Sequence, residues 1–400
     1  MPFETKALTR SICFIGFIVV LAGITASTAP ATSTGRTSMP GRNGRIVFVE
    51  GVEYGNLVLA NSDGSGVVRL TSGPDGEPAY SPSGKLIAFS SLRRGDRDVY
   101  VVAPDGSGLR QITFTRTDDR DPAWSPDGSR LAFETTRNGG QSDIYGVAAN
   151  GTGSVKLAGT PANELDPAWS PAGSKIAYTV ESGGQRQIWV MNADGSQPTQ
   201  LTSTPNFSEN PNWSPDGRRI VFDSDRAEQG NLDVYAMNAD GSDVERLTDS
   251  PALDAVPAYS PDGASIVFSS DRSGRDTRRL FVMSASGVHQ TRLIGGIKPK
   301  EQMSPDWQPV HGAKDTCTIR GTIHADQLVG TAKSEVICGL GGGDTITGGG
   351  GRDVLLGGSG TDVLHARDGR GDRVDGGAGT DTAFIDKKLD KVVSVEQRRG

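Results

Sequence analysis

The chain has 400 residues, of which 35% are hydrophobic and 6% are aromatic, and it contains 54 glycines and 22 prolines. This length allows one large domain with a smaller one, or an array of repeats, and the glycine and proline content favours turns. The formal net charge of −7 and the pI near 5.3 argue against nucleic acid as a partner.

The first 30 residues have the pattern of an export signal. Lys6 and Arg10 precede an apolar run over 11–26, and small residues suited to cleavage follow between Ala26 and Ala31. The run is short for a membrane span, which needs roughly 20 apolar residues, although a retained anchor is the alternative. The sequence therefore predicts a signal peptide over 1–30, a Ser/Thr/Pro-rich linker over 31–43, and a secreted or envelope protein whose mature chain has no transmembrane span.

Between 44 and 310 the sequence repeats. Each unit has four short segments of strand character, separated by tight-turn sequences such as Ser-Pro-Asp-Gly. Repeated units of four strands and about 45 residues are typical of a β-propeller. The clearest marker of the repeat is an aromatic residue, which we expect to pack between neighbouring blades and which recurs at Tyr80, Trp124, Trp169, Trp213, Tyr259 and Trp307.

The number of repeats predicts the number of blades. The I-x-F segment occurs six times, whereas the first aromatic segment is missing and the last, at Trp307, has no strands behind it. Pairing the strand at Trp307 with the segment GRIVFVE at 44–50 would close the ring without an open seam. We therefore predict an all-β chain with a six-bladed propeller over 44–310.

The repeats carry a family resemblance. Units such as PAWSPDGSRLAF at 122–133 and DVYAMNADGS at 233–242 resemble the WD40-like repeats of the TolB propeller family. Members of that family have an α/β domain ahead of the propeller, whereas only 31–43 separates the signal from the first strand here. The resemblance implies a TolB-like envelope component as an alternative to a secreted recognition protein.

The connections that lead into each aromatic segment vary between repeats, and such loops on a rigid scaffold commonly carry binding. We expect them to surround the channel mouth and to bind a protein or polysaccharide partner. Arg137, Arg226 and Arg272 are expected to form ion pairs within their blades, with partners such as Asp143 and Asp233. The candidate binding residues are Glu77, Asp119, Asp121, Asp166, Asn210 and Asp254.

An enzyme is the less favoured interpretation of the propeller. Prolyl-oligopeptidase-like peptidases carry a similar propeller before a hydrolase domain, but the sequence has no G-x-S-x-G elbow. Some glycan lyases place histidine ligands in a propeller channel, but no metal-spaced pair occurs among His289, His311, His324 and His365. We predict a non-catalytic protein, with a glycan-active or hydrolytic enzyme as the remaining alternative.

The segment from Gly321 onward repeats every nine residues. The eighth position of each repeat is apolar, which a disordered glycine-rich linker would not explain. The sixth position is acidic at Asp326, Glu335, Asp344, Asp353, Asp362, Asp372 (after a one-residue insertion) and Asp381.

This period resembles the G-G-x-G-x-D-x-U-x repeat of RTX proteins, which implies a parallel β-roll that binds calcium. Ca²⁺ requires 6–8 oxygens from carboxylates and carbonyls, which two loops one coil apart can supply. We expect calcium-dependent folding over 321–386, between a hinge at 311–320 and a basic tail at 387–400. The implied ligands are Gly339, Gly342, Asp344, Gly348, Gly349, Gly351, Asp353, Gly357, Gly358, Gly360, Asp362, Asp372, Gly376, Gly377, Gly379 and Asp381.

The repeats differ in how complete their loops are. The resemblance favours ions between 339–344 and 357–362, and between 357–362 and 376–381. The loop at 348–353 faces the irregular segment ARDGRGD, so an ion there is doubtful, and the RGD triplet is interpreted as a coincidence of the repeat. After removal of the signal, Cys317 and Cys338 are an even pair in an exported chain, which predicts a disulfide.

Overall fold

A computed structural model describes residues 36–37, 42–51, 54–274, 277–294, 301–310, 318–321, 325–393 and 395–399. Every regular element among these residues is a β-strand, and none of them belongs to a helix that could cross a membrane. The predicted signal peptide and Cys317 lie outside the described residues, so cleavage and the disulfide stay predictions.

The strands between 36 and 310 form the propeller. They are β1 (Arg36–Thr37), β2 (Arg42–Glu50), β3 (Asn56–Ala60), β4 (Val68–Arg69), β5 (Asp75–Tyr80), β6 (Ile87–Ser91), β7 (Asp98–Val102), β8 (Arg110–Gln111), β9 (Asp119–Trp124), β10 (Arg130–Thr135), β11 (Asp143–Ala148), β12 (Val155–Ala158), β13 (Asn163–Trp169), β14 (Lys175–Ser182), β15 (Gln185–Asn192), β16 (Thr199–Gln200), β17 (Ser208–Trp213), β18 (Arg219–Ser224), β19 (Asp233–Asn238), β20 (Glu245–Arg246), β21 (Asp254–Tyr259), β22 (Ser265–Ser270), β23 (Arg279–Ser284), β24 (Thr291–Arg292) and β25 (Gln302–Val310).

Six antiparallel sheets are the blades. Blade 1 is β25-β2-β3-β4, and blades 2 to 6 are β5–β8, β9–β12, β13–β16, β17–β20 and β21–β24. The first strands of neighbouring blades contact each other and therefore surround the channel. Blade 5 gains a parallel strand, β1, whose Arg36 and Thr37 pair with Asn212 and Trp213.

The ring is closed as the sequence predicts. Strand β2 pairs with β25 from the other end of the repeat array, in a register that sets Ile46 opposite Trp307 and Val47 opposite Asp306. The first and last parts of the array therefore share blade 1, and the six-bladed prediction is confirmed.

The repeated aromatic residues lie between blades. Trp124 of blade 3 is 1% exposed and packs in one cluster with Ala79 and Ala88 of blade 2. Its Nε1 donates a hydrogen bond to the carbonyl oxygen of Ala79 at 3.2 Å. Trp213 of blade 5 repeats this bond to a carbonyl of blade 4 at 3.1 Å. These two tryptophans therefore join their blades to the preceding ones by packing and by a hydrogen bond.

Two of the three predicted arginine pairs form, with different partners, whereas Arg226 donates to the hydroxyl oxygens of Ser224 and Ser208 instead. Arg137 reaches back to Asp119 at 3.2 Å, and Arg272 pairs with Asp254. The expected partners Asp143 and Asp233 instead bind cations on the fourth strand of their blades, Lys156 and Arg246. Strand register explains the pair between Arg137 and Asp119, because Asp119 lies opposite Thr135, which precedes Arg137 by two residues.

The strands after 318 form the second fold. They are β26 (Ile319–Arg320), β27 (Gln327–Val329), β28 (Val336–Gly341), β29 (Thr345–Thr347), β30 (Val354–Gly360), β31 (Val363–His365), β32 (Arg373–Gly379), β33 (Thr382–Phe384), β34 (Lys391–Val393) and β35 (Gln397–Arg399). Even-numbered and odd-numbered strands form two parallel sheets. The eighth-position residues fill the interior between them, and Ile337, Ile346, Leu355, Leu364, Val374 and Ala383 are all 0% exposed.

The roll extends past both predicted bounds. It begins at β26, inside the predicted hinge, and β34 and β35 add a further coil from the predicted basic tail. Val395 of this coil is 8% exposed. The final coil lacks the nonapeptide spacing, but Asp390 and Glu396 still accept backbone N–H groups from Asp372 and Asp381 as the regular acids do.

Candidate functional site

The sixth-position acids, continued by Asp390 and Glu396 of the final coil, stack into two ladders, one at each corner of the roll. The first corner contains Asp326, Asp344, Asp362, Asp381 and Glu396, and the second contains Glu335, Asp353, Asp372 and Asp390.

Each carboxylate caps the backbone of the coil before it. The N–H of Asp344 donates to Oδ1 of Asp362 at 2.8 Å, and the N–H of Asp362 donates to Oδ1 of Asp381 at 2.9 Å. The second corner repeats this between Asp353 and Asp372 at 2.9 Å, across the one-residue insertion. The insertion therefore does not break the ladder, and Asp372 of the RGD triplet is buried at 3% exposure.

The other oxygen of five of these carboxylates has a different environment. It is buried and accepts no hydrogen bond from the described residues, in a chain where most buried polar atoms are paired. An ionised oxygen buried in this way is costly unless a cation lies against it. The five atoms are Oδ2 of Asp344, Asp353, Asp362, Asp372 and Asp381.

Glycine brings carbonyl oxygens to the same places. A Cβ on Gly357 would lie 2.4 Å from Oδ2 of Asp362 and 2.4 Å from the carbonyl oxygen of Gly376. Gly339 has the same relation to Asp344 and Gly357, at 2.2 and 2.4 Å. Each pair combines a carboxylate oxygen with a carbonyl oxygen of the next coil, which is the oxygen set that Ca²⁺ prefers.

The remaining predicted glycine ligands shape the turns. Gly358 and Gly360 have φ of 105° and 136°, in the region that L side chains rarely adopt. Positive φ also occurs at Gly342, Gly349, Gly351 and Gly377, whereas Gly348 lies beside Asp353 and Gly376 and Gly379 lie in β32.

Without an ion, burial makes these carboxylates easier to protonate than exposed aspartates. Burial is the largest cause that raises the pKa of Asp344 to about 6 and that of Asp362 to about 7; a backbone N–H group opposes it, and neighbouring aspartates add to it. Burial likewise raises the pKa of Asp372 to about 6. A divalent cation at the corners would reverse this preference, because opposite charge favours the ionised form.

The short distances around Gly357 predict the effect of a methyl group at this position. Gly357→Ala is expected to reduce the stability of the calcium-loaded roll by about 1–3 kcal/mol and to weaken calcium binding, because the new methyl group overlaps both oxygens. Gly350→Ala is the matched control, since the nearest atom to its Cβ is 3.6 Å away. Calcium titration followed by circular dichroism measures both variants, and equal behaviour would contradict the geometry.

The residues predicted for the channel mouth have other positions. Glu77, Asp121, Asp166 and Asn210 are inside the first strands of blades 2 to 5, at a bulge where φ is 51–55°, and they are at most 5% exposed. The prediction of an exposed rim is therefore corrected. Each of them precedes its aromatic anchor by three residues, and this regular spacing is a signal of a buried place in the repeat.

The other two predicted rim residues have structural partners. Asp119 and Asp254 are 0% exposed and form the ion pairs with Arg137 and Arg272. Sequence reasoning missed the acids of the second strands, among them Glu134 and Asp223, which are also 0% exposed. No repeat pattern identified them, because other blades have Ser90 or Ser269 at this place.

The fold and the corners of the roll define the class of this protein. It has a closed six-bladed propeller, followed by a parallel β-roll with glycine-rich turns and stacked acidic residues. Comparison with known families agrees. The TolB beta propeller domain (PD40) matches residues 55–162, 154–229 and 226–317, which together are more than half of the chain. The chain therefore belongs to the TolB β-propeller family. The RTX calcium-binding nonapeptide repeat, in four copies, matches residues 339–371.

Individual relatives are similar over limited parts. The Tol-Pal system protein TolB of Syntrophus aciditrophicus (strain SB) is 38% identical over 73 residues, which are 18% of this chain and only 15% of that protein. TolB from Acinetobacter baumannii has a TM-score of 0.58 at 24% identity, covering 67% of each chain. A putative TolB from Agrobacterium tumefaciens has a TM-score of 0.55 at 25% identity, covering 67% of this chain and 94% of its own.

Proposed function

We propose that the protein is a calcium-binding, non-catalytic recognition protein that acts outside the cytoplasm. Its roll binds calcium at the corners, and its propeller binds a protein or glycan partner. The observation that carries this proposal is the set of five buried carboxylate oxygens that accept no hydrogen bond from the described residues. Bound calcium would neutralise these carboxylates and link neighbouring coils through oxygens from both.

The ladders support ions at both corners of the roll. At the first corner, Asp344 and Asp362 each have the carbonyl of the next loop beside the second oxygen. At the second corner, Asp353 has its second oxygen beside Gly348, and its ladder to Asp372 is intact. The loop at 348–353, which the sequence left doubtful, therefore belongs among the proposed sites.

Other acids of the roll are satisfied by hydrogen bonds. Both oxygens of Asp390 accept N–H groups, from Asp372 at 2.9 Å and from Asp386 at 2.7 Å. Glu335 receives the hydroxyl of Thr331 on one oxygen and its N–H on the other. Asp390 and Glu335 lie at the two ends of the second ladder, where hydrogen bonds take the place of a cation. The proposed ions at this corner are therefore confined to the coils between these two residues.

The export pattern of 1–30 and the calcium corners support the same setting. Extracellular modules bind calcium at about 10⁻⁴–10⁻³ M, so a roll of this kind would fold after export rather than before it. Membership of the TolB propeller family favours a second candidate, a protein-interaction component of the cell envelope. Capture of a defined envelope protein by the calcium-loaded chain would favour this candidate, and retention on a polysaccharide would favour glycan recognition.

A carboxylate substitution tests the calcium proposal. Asp362→Asn is expected to remove at least one bound Ca²⁺ per chain, because Asp362 supplies a ligand oxygen in the middle of the first ladder. Asp375→Asn is the control, since Asp375 pairs with Arg373 on the outer side of β32. Isothermal titration of the full chain gives the ion count. A count unchanged by Asp362→Asn in a folded protein would overturn the proposal.

A further inference from the structure

We propose that blade 5 of the propeller binds a small carboxylate anion at Arg226 and Ser208. The site lies where β17 begins and β18 ends, and it is independent of the calcium corners of the roll. The class of ligand follows from the other blades, in which the corresponding arginine holds the carboxylate of an aspartate.

The first observation is a difference between blades that are otherwise alike. In three other blades, an arginine two residues after the second strand pairs with an aspartate at the start of the first strand. These pairs are Arg93 with Asp75 in blade 2, Arg137 with Asp119 in blade 3, and Arg272 with Asp254 in blade 6. In blade 5 the arginine is Arg226, and the first strand starts with Ser208.

Strand register shows that Ser208 has the place of the aspartate. Ser208 lies opposite Ser224, as Asp75 lies opposite Ser91 in blade 2. Serine is shorter than aspartate by the carboxylate group, and both Ser208 and Ser224 are 0% exposed. The site therefore suits a ligand as small as the carboxylate group itself, which is formate, rather than an acidic polymer.

The second observation is that the guanidinium of Arg226 has donors to spare. Nε and Nη2 reach the hydroxyl oxygens of Ser224 and Ser208, both at 3.2 Å, and Nη1 donates to no residue in the described part of the chain. A bond from a charged nitrogen to a carboxylate is shorter, about 2.7–2.9 Å. Since a guanidinium carries five N–H donors, the remaining ones are available to an anion.

The charge of Arg226 has no ion-pair partner among the residues that the structure describes. The adjacent acid, Asp225, uses its two oxygens on the N–H groups of Phe207 at 2.7 Å and Gly230 at 2.8 Å. Burial lowers the pKa of Arg226, and the neighbouring Tyr235 opposes this. A bound anion would offset the cost of partly burying this charge.

Two aromatic rings orient the guanidinium. Cζ of Arg226 lies 5.0 Å from the ring centroid of Phe222 and 4.9 Å from that of Tyr235. Arg272, which holds a carboxylate, lies over the equivalent pair of rings in blade 6 at 5.5 and 4.9 Å. Arg226 therefore has nearly the placement of an arginine that binds a carboxylate, and little reorganisation is needed.

The repeat supplies the variant that tests the site. Ser208→Asp gives blade 5 the carboxylate that three other blades have, so it should occupy the donors of Arg226 and exclude formate. Arg226→Gln removes the guanidinium and carries the same test if Ser208→Asp does not fold. Arg218→Gln is the matched control, since Arg218 is an exposed arginine at the other end of β18.

Thermal unfolding of the full chain in calcium measures the binding of formate. Near-ultraviolet circular dichroism follows the propeller, because all five tryptophans lie between Trp124 and Trp307. Replacing chloride with formate at constant ionic strength should raise the melting temperature of wild type and Arg218→Gln by about 2–4 °C.

The two site variants should respond differently. Neither Ser208→Asp nor Arg226→Gln should respond to formate, and Ser208→Asp should melt above wild type in chloride because it forms an internal ion pair. A wild-type propeller that melts at the same temperature in formate and in chloride would overturn the inference. An equal formate shift in wild type and in either folded site variant would overturn it as well, since the anion would then act elsewhere.

Discussion

Chelation of calcium with EGTA is expected to unfold the roll while the propeller stays folded. The roll buries one apolar residue per half coil in a thin interior, between Ile337 and Ala383. Five buried carboxylates oppose the stabilisation by this small core, and each has an oxygen that lacks a hydrogen bond from the described residues. Without the ion, these carboxylates repel each other along the ladder and oppose folding.

The contribution of calcium to the stability of the roll follows from the linkage between ion binding and folding. A site at a free calcium concentration 100 times its Kd contributes about 2.7 kcal/mol to the folded state, so two or three sites amount to the whole stability of a small domain. The propeller, in contrast, is held by apolar clusters between blades and stays folded in EGTA.

Hydrogen exchange of the full chain measures both parts at once. In calcium, the amides of β28, β30 and β32 are expected to exchange slowly, and in EGTA they should exchange at the rate of an unfolded chain. Peptides from β10 and β18 of the propeller are the internal control, since their backbone bonds are between propeller strands. Equal protection of β30 in calcium and in EGTA would contradict the calcium-dependent fold.

Trp124→Ala is expected to destabilise the propeller by about 3–5 kcal/mol, the usual cost of removing a fully buried large aromatic residue. The indole is 1% exposed and packs in the cluster that joins blades 2 and 3. Its hydrogen bond to the carbonyl of Ala79 is lost as well, which leaves a buried carbonyl without this donor. The boundary between two blades therefore loses packing and polar contact together.

Urea denaturation followed by far-ultraviolet circular dichroism measures the loss, because this signal does not depend on tryptophan emission. Trp124→Phe retains an aromatic ring in the cluster and should cost less than the alanine variant. Phe114→Ala is the surface control, since Phe114 is 70% exposed and should change stability by about 0.5 kcal/mol or less. A cost for Trp124→Ala no larger than that of Phe114→Ala would refute the packing argument.

The backbone architecture could be predicted because both parts of the chain repeat. Each blade has the aromatic anchor, the turn and the strands at the same spacing, and a displaced copy at Trp307 was enough to indicate how the ring closes. In the roll, the acid at the sixth position and the apolar residue at the eighth fixed the coil register. The end of the roll could not be predicted, because Asp390 and Glu396 continue the ladders without the nine-residue spacing.

The sequence by itself determined the six blades, the closure of the ring and the register of the coils, because a repeat encodes packing against a neighbour of the same kind. Only the tertiary structure decided which group each carboxylate meets. It turned Asp119 towards Arg137, buried Asp121 and Asp166 beside Glu134, and left one oxygen of Asp362 without a hydrogen bond from the described residues. These contacts join adjoining strands, neighbouring blades or successive coils, and the physical reason is that strand register, rather than local spacing, sets them.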